Sequence, residues 1–178
     1  MPDSALVIVV VEAEPVVGRY RLQHDPVAAL GVPAHVTILF PFSSELDPER
    51  EDQIRSLAAS IEPFERRFRA IGRFPGGVLH LVPEPNDRVR AMIRQAMDAF
   101  PDHPPYGGEI TDPTPHLTIG MALDDDTADR ISAEIAPRLP IRTRVDELTL
   151  LVTDDEGRWV SARGWPLGPR FRSSSAPR

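Results

Sequence analysis

Apolar residues recur along the chain in two rhythms, short unbroken runs and stripes spaced three or four residues apart. Ala5–Val11 is an unbroken run rich in valine and isoleucine and predicts a buried strand. The stretch 15–33 is mixed and predicts a helical turn or two before Gly31 and Pro33. His35–Phe40 is the next strand. Asp47-Pro48 supplies an N-cap with proline at the first helical position, and Ile54, Leu57, Ala58 and Ile61 follow as one apolar face. Phe64–Ile71 and Val78–Val82 predict two strands joined across Phe74-Pro75-Gly76-Gly77. Asn86 is the expected cap of the clearest helix, in which Val89, Met92, Ile93, Ala96, Met97 and Phe100 form a single stripe. After a loop rich in proline and glycine come a strand at 116–122 and a helix over about 125–137, with Ala128, Ile131 and Ile135 inward. Strands near 144–152 and 158–163 close the chain around the turn Asp154-Asp155-Glu156-Gly157. The acidic run Asp124-Asp125-Asp126 reads as a helix N-terminus, where carboxylates meet the positive end of the dipole.

Two of these strands resemble each other. Residues 33–42 read PAHVTILFPF and residues 114–123 read TPHLTIGMAL, with the histidines 81 positions apart (116 minus 35). Sliding the chain by that offset lays helix 48–61 on 129–142, strand 64–71 on 145–152 and Gly76 on Gly157. The agreement is one of pattern rather than identity. It predicts two similar lobes related by a pseudo-twofold, each presenting one His-Thr strand.

Alternation along a strand puts His35 and Thr37 on one face and Val36, Ile38 and Phe40 on the other. In the second copy His116 and Thr118 share a face, with Leu117, Ile119 and Met121 opposite. The apolar faces suit packing under helices, which leaves the polar faces for a common cleft. Two imidazoles with two hydroxyls suit phosphoester chemistry. One neutral ring takes a proton from the nucleophile, the other, protonated, gives one to the leaving oxygen, and the hydroxyls hold the phosphate oxygens.

Composition narrows the picture further. A chain of 178 residues fits one domain and buries roughly 70% of its unfolded surface, enough for a core without cross-links. The reading is a single domain over residues 1–170 with a flexible tail, 171–178. With no cysteine there is no disulfide, thiolate metal site or cysteine nucleophile. The segment MPDSALVIVVVEAE lacks a basic flank, and its apolar run is far below the roughly 18 residues of a membrane span, so the expectation is a cytoplasmic protein without a membrane partner. A formal charge of −7 argues against an extended nucleic-acid surface but leaves room for a small nucleotide or an RNA end in a local pocket.

PAHVTILF and TPHLTIG resemble the paired H-x-T signatures of the 2H phosphoesterase superfamily, also called the 2′-5′ RNA ligase family. GVPAHVTILFPF, GRFPGGVLHLVPEP and PPYGGEITDPTPHLTI especially resemble its bacterial members, and the resemblance covers most of the chain. It implies an α+β, bilobed fold whose two lobes place antiparallel sheets along a central cleft with helices outside. It also implies hydrolysis of cyclic phosphodiesters, such as 2′,3′-cyclic phosphates on a nucleotide or RNA end, and in some members 2′-5′ RNA ligation. By motif position His35 and His116 would be the catalytic pair, with Thr37 and Thr118 the phosphate-binding pair. Gly120 stands where the first copy has Leu39, so the lobes are not equivalent. Which histidine is base and which acid stays open here.

For a lone histidine a hydrogen-bonded core position is the ordinary explanation; the paired spacing favours a functional pair. A metal site built on the two lacks a third ligand at a recognisable spacing, and neither metal nor cofactor is expected. His80 matches Ser161 under the offset and is a candidate cleft residue, with a surface-facing strand histidine as the alternative. His24 and His103 are expected in solvent. Phe42 and Tyr106 are candidates for stacking on a base, with core packing the alternative for Phe42. Arg19, Arg21 and Arg73 are read as solvated charges, with phosphate or ribose contact the alternative. The leading expectation is a monomeric, metal-independent cyclic phosphodiesterase. An RNA 2′-5′ ligase using the same four residues and a non-catalytic nucleotide-binding module are the other two.

Overall fold

The computed structural model describes residues 3–169, so the tail expected at 171–178 lies outside the described residues. The first apolar run forms β1, Ser4–Val9, which pairs antiparallel with β2, His35–Leu39. The mixed stretch between them is far more helical than its weak periodicity suggests. It holds α1, Glu14–His24, and the single turn α2, Pro26–Ala29. Tertiary packing decides this: Val16, Val17, Tyr20 and Arg21 are all buried, the last a polar position that an apolar-periodicity reading discards.

Asp47 caps α3, Pro48–Ser60, accepting from the Arg50 amide, and Ile54, Leu57 and Ala58 turn inward as the stripe predicts. The hairpin is longer than its apolar positions alone mark, with β3 at Phe64–Phe74 and β4 at Val78–Glu84. The helix α4, Asp87–Ala99, buries Val89, Met92, Ile93 and Ala96, but the Asn86 side chain makes no capping bond. Next come β5, Leu117–Gly120, and α5, Asp125–Ile135, capped by Asp124 on the Thr127 amide. The single strand expected at 144–152 is two strands, β6, Ile141–Val145, and β7, Glu147–Thr153. Asp146 separates them because they belong to different sheets. β8, Trp159–Pro166, completes the fold.

Both sheets are four-stranded and antiparallel, in the orders β2-β1-β7-β8 and β5-β4-β3-β6. Each H-x-T strand is therefore a sheet edge. Counting inward from those edges pairs β2 with β5, β1 with β4, β7 with β3, and β8 with β6. The two lobes are real, but the 81-residue slide matches them only in part. It correctly pairs β2 with β5 and β3 with β7, while β4 corresponds to β1 and not to β8. The helix after the motif is also displaced, since α5 begins at Asp125 rather than 129. The turn glycines Gly76 and Gly157 do share a left-handed backbone, with φ of 81° and 74°.

The lobes interlock. The helix that leaves β1 packs on the other lobe's edge strand, α1 on β5, and the helix that leaves β4 does the reverse, α4 on β2. One main core accordingly draws residues from both sheets. This crossed packing holds the two edge strands side by side. No helix among the described residues is long and apolar enough to cross a membrane.

Candidate active site

The two edge strands bring their polar faces to one cavity of about 560 Å³, lined by His35, Thr37, His116 and Thr118. The two histidines are held alike. The ring Nδ1 of His35 lies 2.8 Å from the Pro33 carbonyl oxygen, and that of His116 lies 2.8 Å from the Thr114 carbonyl oxygen. A carbonyl only accepts, so each Nδ1 must carry the proton and donate it. That leaves each Nε2 as the working nitrogen. Pro33 and Thr114 are themselves 81 apart, so the orienting bond is repeated along with the ring.

The surroundings of the two rings differ. Burial pushes the His35 pKa down from 6.5 to about 4, and the Arg21 and His116 charges add to that against the raising effect of the Pro33 bond. Burial also lowers His116, opposed by its bond to Thr114.

Both strands carry a β-bulge at the same place. Val7 pairs with Thr37 but Leu6 pairs with Leu39, so Ile38 is the extra residue; His80 pairs with Thr118 but Leu79 with Gly120, so Ile119 is the extra one. A bulge inverts the alternation beyond it. Phe40 and Met121, placed by simple alternation on the apolar face, therefore line the cavity. Gly120 has its own reason: a Cβ there would lie 2.9 Å from the Cβ of His24, at the end of α1.

Behind the strands, Arg21 ties the halves together. Its guanidinium donates to the Thr118 carbonyl at 2.7 Å and to the Val32 and Pro33 carbonyls at 3.1 and 3.3 Å, and it pairs with Asp25 at 3.1 Å. It is 1% exposed. Arg21 is thus neither a solvated charge nor a phosphate ligand, but a strut joining β5 to the loop before β2. Arg19 and Arg73 are exposed and pair with Glu134 and with Asp125 and Asp129 respectively.

Among the other candidates, Tyr106 lines the cavity, its amide donating to the Phe40 carbonyl at 2.6 Å and its ring edge-on to Phe40. Phe42 does not line it. It is buried against Phe100 and His103, so the stacking role fails and core packing holds. His80 is neither at the surface nor on the cavity wall. It is 4% exposed, stacked 3.9 Å from Phe74, with its ring 5.5 Å from that of His116. Phe74 faces the cavity in its place. In sheet position the partner of His80 is Val7, which pairs with Thr37 as His80 pairs with Thr118, and not Ser161. His24 and His103, expected in solvent, are half-buried; His103 sits 2.7 Å from an Arg50 nitrogen.

Trp159, at the start of β8, also lines the cavity and lies 6.5 Å from the Phe40 ring. Nothing in its local pattern marks it. Phe40 and Met121 had a usable signal, since both stand five residues after a motif histidine.

A two-lobed α+β fold with a histidine and a threonine from each lobe facing one cavity defines the class of 2H phosphoesterases. The comparisons agree. Residues 9–157 match the model of the 2'-5' RNA ligase superfamily, and the chain belongs to that superfamily of phosphoester enzymes. Among solved structures, Escherichia coli LigT complexed with 3'-AMP is similar at 17% identity and a TM-score of 0.58, over 94% of this chain and 98% of that one. A structure described as a phosphoesterase is similar at 18% identity and a TM-score of 0.60, over the same shares. At such identities these two show the fold. No curated protein matches the sequence.

Proposed function

We propose that the protein hydrolyses a cyclic phosphodiester, a 2′,3′-cyclic phosphate on a nucleotide or on an RNA end, without a metal ion. The observation that supports this most is the mirrored pair of imidazoles, each with Nδ1 committed to a backbone carbonyl and Nε2 left for the shared cavity. His35, pushed down to about 4, is neutral at physiological pH and suits the base that takes a proton from water. A new bond forms from that water oxygen to phosphorus, and the bond from phosphorus to one ribose oxygen breaks. His116, charged when a phosphate anion lies beside it, delivers its proton to the departing oxygen. Thr37 and Thr118 donate to the non-bridging oxygens, where charge is held through the transition state. The net change is one water added and one phosphomonoester formed. The complex of LigT with 3'-AMP, a nucleotide with its phosphate on a ribose oxygen, is in keeping with such a ligand.

The test is turnover of nucleoside 2′,3′-cyclic phosphates followed by phosphorus NMR. His35→Ala and His116→Ala are each expected to lose about 10²–10⁴ in kcat while keeping the native circular dichroism, with EDTA without effect. Full activity in either variant would sink the assignment. Unchanged ligand recovered from the pocket would instead favour a nucleotide-binding module.

A further inference from the structure

We propose that this site, read as above, favours the nucleotide over the RNA end: it selects cyclic phosphodiesters that carry one negative charge and an uncharged planar or apolar body, and discriminates against the same body bearing a second phosphate. Two independent features support this selectivity.

The first is the missing cation. Among the described residues no arginine or lysine side chain lines the cavity, and its two charged lining residues besides the histidines are carboxylates, Asp25 and Asp112. The nearby guanidiniums are committed elsewhere. Arg21 is spent on three carbonyls and Asp25, Arg90 pairs with Asp112 at 3.0 Å, and Arg73 turns to Asp125 and Asp129.

The second is the shape of the wall on the His35 side. Ala5, Val7, Val32 and Leu151 form a small apolar cluster of their own, separate from the main core, with Phe40 and Trp159 packed against it. All six line the cavity. This chamber is the counterpart of the place that His80 occupies in the other lobe, where Val7 stands instead.

Charge balance turns these features into selectivity. Among the described residues the cation the cavity supplies is a protonated histidine, which offsets the single charge of a cyclic diester. A second phosphate would meet apolar walls and carboxylates already paired with arginines, and would lose water without gaining a cation. The same balance favours release of product, because hydrolysis converts the diester into a monoester able to take a second negative charge. Trp159 and Phe40 offer ring faces and edges to a planar body such as a nucleobase, which needs no charge to bind.

The experiment compares kcat/KM of the full chain for adenosine 2′,3′-cyclic phosphate and for the same nucleotide with a 5′-phosphate. A preference of about tenfold or more for the compound without the 5′-phosphate is expected. Met121 lines the cavity and is 46% exposed, so Met121→Arg places a cation in the wall with little cost to folding and is expected to narrow the ratio. Equal efficiency on both nucleotides would overturn the selectivity and leave the hydrolytic reading standing. Turnover of neither by folded protein would overturn both. A preference that Met121→Arg leaves untouched would show that charge is not its source.

Discussion

His35 and His116 share a backbone anchor and differ in what surrounds them, and the difference has a measurable consequence. A base must be neutral and an acid protonated. With His35 as base, activity appears as pH rises through about 4; with His116 as acid, it is lost as pH rises through a value below the ordinary 6.5. The profile of kcat/KM is therefore expected to be a bell lying on the acidic side of neutrality. In kcat the alkaline limb should move upward, because a bound phosphate favours the charged imidazole. Stopped assays across pH 3–9 check this, and a kcat/KM maximum well above pH 7 would contradict it. At this scale the common cavity of the four motif residues was legible in the sequence, because histidine and threonine two apart on a strand have to share a face. For Phe42 the core-packing alternative holds, while His80 lies neither in the cleft nor at the surface. A strand's burial depends on what lies over it, and Phe74 covers His80 while Phe100 covers Phe42.

Elements impose two further controls on the site. The matching bulges after Thr37 and Thr118 swing Phe40 and Met121 into the cavity, which period-two alternation alone cannot foresee. The strut from α1 then fixes how the edge strands meet. Arg21→Met would leave Asp25 buried and unpaired and release the Thr118 and Pro33 carbonyls. A loss of about 3–5 kcal/mol in chemical denaturation is expected, together with a fall in kcat. Adding Asp25→Asn removes the stranded charge and should restore part of the stability. It should not restore activity, since the ties between β5 and the loop before β2 stay broken. Recovery of both by the double variant would show that Arg21 serves only to neutralise Asp25. A buried arginine in a helix of mixed character carries no sequence signal of its own, because polar positions normally mark the solvent face.

The whole molecule carries a formal charge of −7, and its cavity presents carboxylates rather than guanidiniums among the described residues. An anionic nucleotide approaching it is repelled at long range. Salt screens that repulsion, since the Debye length falls from about 30 Å at 0.01 M to about 8 Å at 0.15 M. Raising salt is thus expected to hold kcat/KM level or raise it by up to about a few-fold. Enzymes that clamp nucleic acid through phosphate contacts show the opposite sign. A steep fall of kcat/KM with salt would contradict this picture.

The sequence by itself determined the elements with strong periodicity, the two H-x-T strands and the shared face of each histidine and threonine, because those features depend on residues near one another in the chain. It also showed two lobes, since one offset carries both His-Thr strands. The tertiary structure alone decided which strands correspond, β4 with β1 rather than with β8, because sheet position is set by pairing partners and not by chain order. It alone decided the cavity wall as well, with Trp159, Phe74 and the turned Phe40 and Met121 meeting where no arginine of the described residues reaches. Those residues lie far apart in sequence, and only the crossed packing of α1 on β5 and α4 on β2 brings their surfaces together.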